Sequence, residues 1–395
     1  MATVLTLTPA EEELLGTLPP GDVATALRER GLPNRRVEQW KWSDLRRAAK
    51  DVRRPSAAYA TGITSGPLKL DADPVDGGMI IANGRWLEGK GALPSAVTLT
   101  VGDPSPSLMP ESLMASLATA APRHTLSIPA DTDVTVMVRR LSDGASYHAD
   151  RLHVVVGERA KLTLIESHEV SGTPFVNSLT SVHVKAGGSV DRHVVQKNTG
   201  DGLLVHTTMP ALESDARLSN TILALGGKFA RHEMAMAMMG KADVKLNALY
   251  RLSHQDHMDL TSHVDLMTPG SSVRQLCKGI ADDRSTAVFQ GKFLVRREAQ
   301  HTDAKMGHHA MLLSGDATVN AKPELEIYAD DVECAHGNTV GAFDPDALFY
   351  LRQRGLSERE ARGLMIDAFL GEVLEAVDNT AIREALSLSL AQEAS

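Results

Sequence analysis

The sequence predicts a mainly β protein built on a parallel β-helix, with helical regions at both ends. Apolar and polar residues alternate with a period of two across most of residues 124–343, as strands require. A short corner pattern recurs in the same stretch at intervals of a few tens of residues. Helical spacing and helix-start signals mark the two ends of the chain. We therefore divide the chain into residues 1–100, 101–343 and 344–395.

The corner pattern is a turn of small or charged residues, followed by Ala or Ser and then by an alternating strand. It occurs in seven places, and the first five spacings are 29, 27, 26, 30 and 13 residues: Ala160, Ser189, Ala216, Ala242, Ser272, Ser285 and Ala317. A propeller blade needs about 40 residues and four strands. A turn of a parallel β-helix is shorter and stacks small residues at its corners. The aromatic content of 4% also suits a narrow interior. A jelly roll is the alternative fold.

The N-terminal region, residues 1–100, is predicted to be helical with one short β element. Thr8, followed by proline and by Glu11, is a helix start. Residues 51–76 are rich in Pro, Gly, Ala and Ser and indicate a linker. Residues 79–86 resemble a strand that enters an Asn-Gly turn.

The C-terminal region, residues 344–395, is predicted to be helical. Asp344 precedes a proline and begins one helix, and Ser357 with Glu360 forms a capping box for the next. The tail either closes the end of the β-helix or presents a docking surface to a partner, and the two roles are compatible.

The composition and the motifs argue against several functional classes of protein. Two cysteines, Cys277 and Cys334, among 395 residues supply neither a disulfide framework nor four thiolates for a cluster. The formal net charge of -9 argues against a general nucleic-acid binder. No stretch approaches the ~20 apolar residues of a membrane span, and the start lacks a signal-peptide pattern. No Gly-Lys-Ser/Thr phosphate loop is present, so ATP hydrolysis by this chain alone is not expected. We expect a cytoplasmic protein that binds neither membranes nor nucleic acid.

The densest histidine group is the stretch that contains His254, His257 and His263 with neighbouring aspartates. Imidazoles and carboxylates suit zinc, iron or manganese, so a stand-alone metal enzyme of jelly-roll type is the alternative function. Odd separations on a strand point to opposite faces, so His254 and His257 face apart, whereas His257 and His263 share a face. Solvent-facing imidazoles on a β-helix wall are therefore the preferred interpretation.

A second group surrounds Cys334 and His336, which are two residues apart and project from the same face of a strand. One thiolate and one imidazole make half of a tetrahedral metal site, so the other ligands must come from elsewhere or from another chain. Asp330, Asp331 and Glu333 should raise the thiol pKa and favour cation capture over nucleophilic attack. A buried cysteine and a hydrogen-bonded histidine at the end of a sheet are an equally supported interpretation.

Long segments around this pair resemble a known family. Residues 322–341, KPELEIYADDVECAHGNTVG, are similar to the hallmark of the SufB/SufD iron–sulfur cluster assembly proteins. The resemblance continues in residues 347–357, ALFYLRQRGLS, and in residues 289–295, FQGKFLV. Further upstream, residues 166–168 and 225–232 resemble the SufD branch of the family. The resemblance spans nearly the whole chain.

This resemblance implies a right-handed parallel β-helix within a complex. A SufD-like chain pairs there with a SufB-like subunit, and each grips a SufC-like ATPase through its C-terminal helical region. The resemblance also implies a nascent cluster or iron site shared with the SufB-like subunit, to which His336 contributes, with Cys334 as the weaker candidate. The chain would be a scaffold or accessory subunit without catalytic activity of its own.

The resemblance further implies that the isolated chain holds no tightly bound cofactor. Iron or a cluster would be present only transiently in the complex, to which a reduced flavin has been linked, with no flavin residue assignable here. The sequence does not separate this function from that of a purely structural scaffold that holds SufC. A homodimer is plausible when the SufB-like subunit is absent, because sheet ends would then be exposed.

Overall fold

The computed structural model describes residues 5–50, 76–88, 92–109 and 111–392. Within these ranges, nineteen strands form one sheet of ten strands and one of nine. Most strands pair in parallel with the strand two places along the chain, so each turn adds one strand to each sheet. The fold is a parallel β-helix of about eight turns, as the sequence predicted. The jelly-roll alternative is wrong, because its strands would pair antiparallel.

The ten-stranded sheet contains β1 (Gly77–Ala82), β2 (Arg85–Trp86), β5 (Asp133–Ser142), β7 (Lys161–Val170), β9 (Ser189–Asn198), β11 (Ala216–Leu225), β13 (Ala242–Leu252), β15 (Ser272–Ala281), β17 (Asp303–Leu312) and β19 (Glu333–Gly341). The nine-stranded sheet contains β3 (Thr98–Gly102), β4 (Arg123–Ile128), β6 (Tyr147–Val156), β8 (Phe175–Val184), β10 (Leu203–Leu212), β12 (Phe229–Met238), β14 (His257–Leu266), β16 (Thr286–Val295) and β18 (Thr318–Ile327). The α-helices are α1 (Pro9–Leu15), α2 (Asp22–Arg30), α3 (Leu45–Ala48), α4 (Leu113–Ala118), α5 (Pro345–Gln353), α6 (Glu358–Glu375) and α7 (Thr380–Gln392), with a 3₁₀ turn at Glu38–Trp40.

The recurring corner pattern marks the turns of the β-helix. The corners before most strands of the ten-stranded sheet bend at one left-handed residue: Asp131, Arg159, Gly187, Asp215, Gly270 and His301. The spacing of 13 residues in the pattern has a simple cause. Ser285 and Ala317 precede strands of the other sheet, β16 and β18, so the sequence pattern had combined two different corners.

Parallel register stacks like residues into columns inside the β-helix. One inward column is apolar along almost its whole length and reaches Cys334 on the last strand: Val134, Leu162, Val190, Leu218, Val244, Val273, Ala304 and Cys334. All of its members before Cys334 are buried in the main hydrophobic core. The stacking therefore places Cys334 at the end of the core, on the inner face of the final turn.

The N-terminal helices pack on the outer face of the nine-stranded sheet. Leu27, Leu32 and Trp40 form a second apolar cluster there, with Phe175 and Phe229 of the sheet. The guanidinium carbon of Arg231 lies 4.0 Å from the centre of the Trp40 ring, so this tryptophan packs against the sheet. The short β element of residues 79–86 corresponds to β1 and β2. The predicted linker, apart from its last residue, lies outside the described residues.

The C-terminal helices α6 and α7 cover part of the outer face of the ten-stranded sheet. Ile366, Leu370 and Val373 of α6 pack against Leu223 and Leu249 of the sheet. Both predicted helix starts are present, with Asp344 capping α5 and a capping box at Ser357 beginning α6. None of the helices in the described ranges is long and apolar enough to cross a membrane.

The side chains around Gly279 on β15 are packed closely inside the β-helix. A Cβ at this position would lie 2.0 Å from Cζ of Tyr250, whose ring is buried one turn away. We expect Gly279→Ala to destabilise the fold by about 1–3 kcal/mol through overpacking. The matched control is Gly315→Ala, because nothing lies within 4 Å of a Cβ at Gly315. Thermal unfolding of both variants measures the difference, and equal midpoints would contradict the prediction.

Candidate functional site

The two ends of the β-helix differ. At the N-terminal end, the terminal strands β2 and β3 pair antiparallel with β1 and β4. At the C-terminal end, the terminal strands β18 and β19 keep the parallel pairing with β16 and β17, and none of their residues is buried. Unpaired strand edges are a template for further strand pairing. The last turn is therefore the open end of the β-helix.

Cys334 and His336 both lie on the inner face of this open end. In the register of β19 with β17, Cys334 is paired with Ala304 and His336 with Met306, and both partners belong to the buried core. Cys334 is half-buried, and His336 is exposed. Two residues along a strand are roughly 6.6 Å apart, so the two side chains can reach a common ligand. Whether they hold iron stays a prediction.

Asn338 is a third polar residue on the same face, two residues after His336. Its Oδ1 lies 2.6 Å from Nδ1 of His308, which is the residue paired with it on β17. Nε2 of His308 lies 3.1 Å from the hydroxyl of buried Tyr250, and the His308 ring stacks on Phe289 with ring centres 4.7 Å apart. Because His308 must donate to the amide oxygen, it holds the Asn338 amide in one orientation at the open end.

Sequence reasoning missed both Asn338 and His308. The two-residue period that joined Cys334 to His336 could have extended to Asn338. His308 lies 30 residues before Asn338. Only the register of one turn upon the next brings these two side chains together.

The thiol pKa of Cys334 is raised. Burial raises it most, the charge of Asp303 on the neighbouring strand raises it further, and a hydrogen bond from the backbone N–H of Ala304 opposes both. The predicted direction is therefore confirmed, but its main causes are different from the acidic residues that the sequence suggested. One of those, Asp331, instead lies 2.9 Å from Nδ1 of His301 at the corner.

Among the described residues, the donor atoms of His254, His257 and His263 do not converge into a group of three possible metal ligands. His254 is exposed at a corner, with Nδ1 3.5 Å from the carboxylate of Asp283. His257 stacks on Phe229, with ring centres 5.0 Å apart, and its Nε2 lies 2.9 Å from Oγ of Ser43. His257 is thus a packing residue beneath the N-terminal region rather than the solvent-facing imidazole that we expected. His263 lies six residues farther along β14.

Two other features bear on possible ligands: the second cysteine, Cys277, and a group of three residues inside the β-helix. Cys277 is buried, and burial strongly raises its thiol pKa, in agreement with a packing role. Within the described ranges, one set of three possible metal ligands converges, with donor atoms of Glu166, His168 and His206 within 4.8 Å of one another. This set lies inside the β-helix and does not include Cys334 or His336.

The fold and the open end together define a β-helix protein with a cysteine and a histidine on the inner face of its last strand. Residues 139–369 match the family model described as "SUF system FeS cluster assembly, SufBD core domain". This match covers more than half of the chain, and the chain belongs to the SufBD family of iron–sulfur cluster assembly proteins.

Individual relatives agree with this assignment. The chain is 36% identical over 238 residues, 58% of its length, to an iron–sulfur cluster assembly SufBD family protein of Synechocystis, 52% of which is covered. It is 31% identical over 247 residues, 61% of its length, to the iron–sulfur cluster assembly protein SufD of Escherichia coli, 58% of which is covered. It is 31% identical over 239 residues, 59% of its length, to the chloroplastic protein ABCI7 of Arabidopsis thaliana, 50% of which is covered. The matches thus span about half the length of these curated relatives, and they make the chain SufD-like.

The raised pKa of Cys334 predicts slow alkylation. Less thiolate is present at a given pH when the pKa is raised, so iodoacetamide should modify Cys334 at pH 7.5 more slowly than it modifies glutathione. Asp303→Asn removes a charge that raises the pKa and should accelerate the reaction, whereas Asp316→Asn at an exposed loop should not. Mass spectrometry of the intact chain measures these rates. A wild-type rate equal to that of glutathione would contradict the prediction.

Proposed function

We propose that this chain is the SufD-like subunit of an iron–sulfur cluster assembly complex with SufB-like and SufC-like subunits. Its role is to complete an iron or nascent cluster site at the interface with the SufB-like subunit. The observation that carries the proposal is the open end, where β19 presents Cys334, His336 and Asn338 on one face. The chain acts as a scaffold without catalysis of its own, in the cytoplasm.

His336 is the principal ligand in this proposal. A neutral imidazole offers a lone pair to iron without losing a proton, and His336 is exposed at the edge. Cys334 has a raised thiol pKa, so it is largely protonated near pH 7 and is the weaker ligand until a metal displaces its proton. A cluster needs four ligands, and the thiolates that this chain lacks would come from the SufB-like subunit. No flavin contact is part of this proposal.

The surface of the last turn supports pairing with another subunit. Large apolar side chains are exposed near or on the two edge strands: Ile327, Tyr328 and Val340. Unpaired backbone groups beside exposed apolar side chains favour a partner strand over water. A second copy of this chain is the expected occupant only when the SufB-like subunit is absent.

The first test of the proposal is His336→Ala. Because the side chain is exposed, the substitution should change the unfolding free energy by less than about 0.5 kcal/mol. Co-purification with the SufB-like and SufC-like subunits should also be unchanged. Anaerobic reconstitution should yield at least about ten-fold less iron and sulfide in the complex, because the shared site lacks a ligand.

The matched control is His254→Asn, which replaces an exposed histidine at a corner. Asn tolerates the left-handed backbone of His254, at φ 55°. This variant should retain the full cluster yield. If His336→Ala also gives the full yield, the chain is the purely structural scaffold instead, since the complex would then assemble clusters without this imidazole.

Helix α5 is the proposed docking surface for the SufC-like ATPase. None of its residues is buried, and Phe349 and Tyr350 are 64% and 56% exposed. Helices α6 and α7 bury their apolar residues against the ten-stranded sheet, so they fix the base from which α5 extends. Two neighbouring exposed aromatic residues on an uncovered helix suit the apolar centre of a protein interface.

The docking proposal predicts the behaviour of Phe349→Ala combined with Tyr350→Ala. Loss of two exposed aromatic anchors should weaken binding of the SufC-like subunit at least about ten-fold, while the melting temperature stays unchanged. Leu388→Ala on α7 is the control, because Leu388 is also exposed, at 60%, but lies outside α5. Isothermal titration calorimetry measures the affinity. Unaltered affinity of the double variant would refute this docking surface.

A further inference from the structure

The interior of the β-helix contains a polar cluster that the open end does not use. It lies between the two sheets in the first half of the stack, beside the apolar column that runs through Val134 and Leu162. Its members are nearly inaccessible to solvent, at 0–3% exposure: Arg140, Asp150, Glu166, His168, Ser178, Thr180, Arg192, His206, Asn220 and His232. The nearest strand of the ten-stranded sheet that carries a member is β11, with Asn220, which is four strands away from β19, or roughly 19 Å at ~4.8 Å per strand.

Four charged groups in this cluster balance one another. The carboxylate of Glu166 contacts Arg140 and accepts from Nε of Arg192 at 2.5 Å. Asp150 accepts from Nε of Arg140 at 2.8 Å. Burial opposes ionisation of Glu166, but the two arginines outweigh it and hold its pKa at about 2. Glu166 is therefore a fixed carboxylate at the centre of the cluster.

Three histidines line the same space, and most of their ring nitrogens have no partner. The ring centres of His168 and His206 are 4.4 Å apart, and His232 lies 5.5 Å from His206 and 6.4 Å from His168. Among the described residues, both ring nitrogens of His168 and of His232, and Nδ1 of His206, have no hydrogen-bond partner. Nε2 of His206 is the exception, with Oγ1 of Thr180 at 3.1 Å and Nη2 of Arg192 at 3.4 Å.

Burial lowers the pKa of each of the three rings most, the positive charge of Arg192 lowers it further, and that of His232 falls to about 3. A buried polar atom without a partner is costly, so three such rings facing one space require something to bind them.

Donor distances favour a metal ion. Ligand atoms of Glu166, His168 and His206 lie within 4.8 Å of one another. A tetrahedral site with ~2.1 Å bonds places its donors about 3.4 Å apart, so small side-chain rotations would close the set. Each carboxylate oxygen has two lone pairs. Oε2 of Glu166 accepts from Arg140 and from Oγ1 of Thr180, so Oε1, which accepts from Nε of Arg192, keeps a lone pair for an ion. Imidazole with carboxylate suits first-row transition metals rather than magnesium or calcium.

We propose that Glu166, His168 and His206 form a buried binding site for one divalent transition-metal ion, with His232 as a fourth donor. The ion is enclosed by both sheets and is taken up as the chain folds. It stabilises the first half of the stack by satisfying the unpaired imidazoles. The site is independent of the iron or cluster cargo at the open end.

Cobalt(II) is a suitable probe, because its visible absorption reports the coordination geometry. The full chain, expressed in medium that contains cobalt(II) and then washed with EDTA, should retain about one cobalt per chain with a tetrahedral visible spectrum. His168→Asn and His206→Asn should each reduce the retained cobalt at least ten-fold. His336→Ala and His254→Asn should retain it in full, which separates this site from the open end and from exposed histidines.

Two results would overturn the inference. One is a folded wild-type chain that retains no cobalt, since the cluster would then be filled by water. The other is full retention by folded His168→Asn and His206→Asn variants. If these variants do not fold, X-ray absorption at the cobalt edge of the wild-type chain decides. Scattering from two or three imidazole rings around the cobalt would support the proposed site. A cobalt with only oxygen or sulfur ligands would refute it.

Discussion

Parallel hydrogen bonding between successive turns is the constraint on which the rest of this structure depends. Each backbone strand pairs with the strand one turn before it and one turn after it, so side chains at equal positions stack into columns. The apolar columns supply the core, and one of them ends at Cys334. A position in the stack therefore decides whether a residue is core, outer wall or edge.

Because the strands stack in this way, the β-helix has two ends, and the two ends are terminated differently. A closed barrel has no edge, but a β-helix must end twice. Antiparallel strands β2 and β3 terminate the N-terminal end, whereas β18 and β19 leave paired columns uncovered at the other. The helical regions add to the outer faces of the two sheets, and Glu38 of the N-terminal region reaches the final turn through an ion pair with Lys322. These uncovered columns include Cys334 and His336 of β19.

Much of the fold was predictable because its signals are local. Alternation with a period of two identified strands, and the helix caps at Thr8, Asp344 and Ser357 follow from neighbouring residues. The common face of Cys334 and His336 was also a local inference. The contact between His308 and Asn338 was not predictable in this way, because it joins residues one turn apart. His257 was misjudged for the same reason, since its cover comes from Ser43 in the N-terminal region.

The sequence by itself determined the β-helix class, the helical ends, the shortage of thiolates and the Cys334–His336 pair. These are properties of composition and short-range spacing, which act before the chain folds. Tertiary structure alone decided which turn is left open and that Asp303 is the charge that raises the Cys334 pKa. It also decided that His168, His206 and Glu166 meet inside the stack. The physical reason is the pairing register between successive strands. Because the turns differ in length, only this register decides which distant side chains share a column.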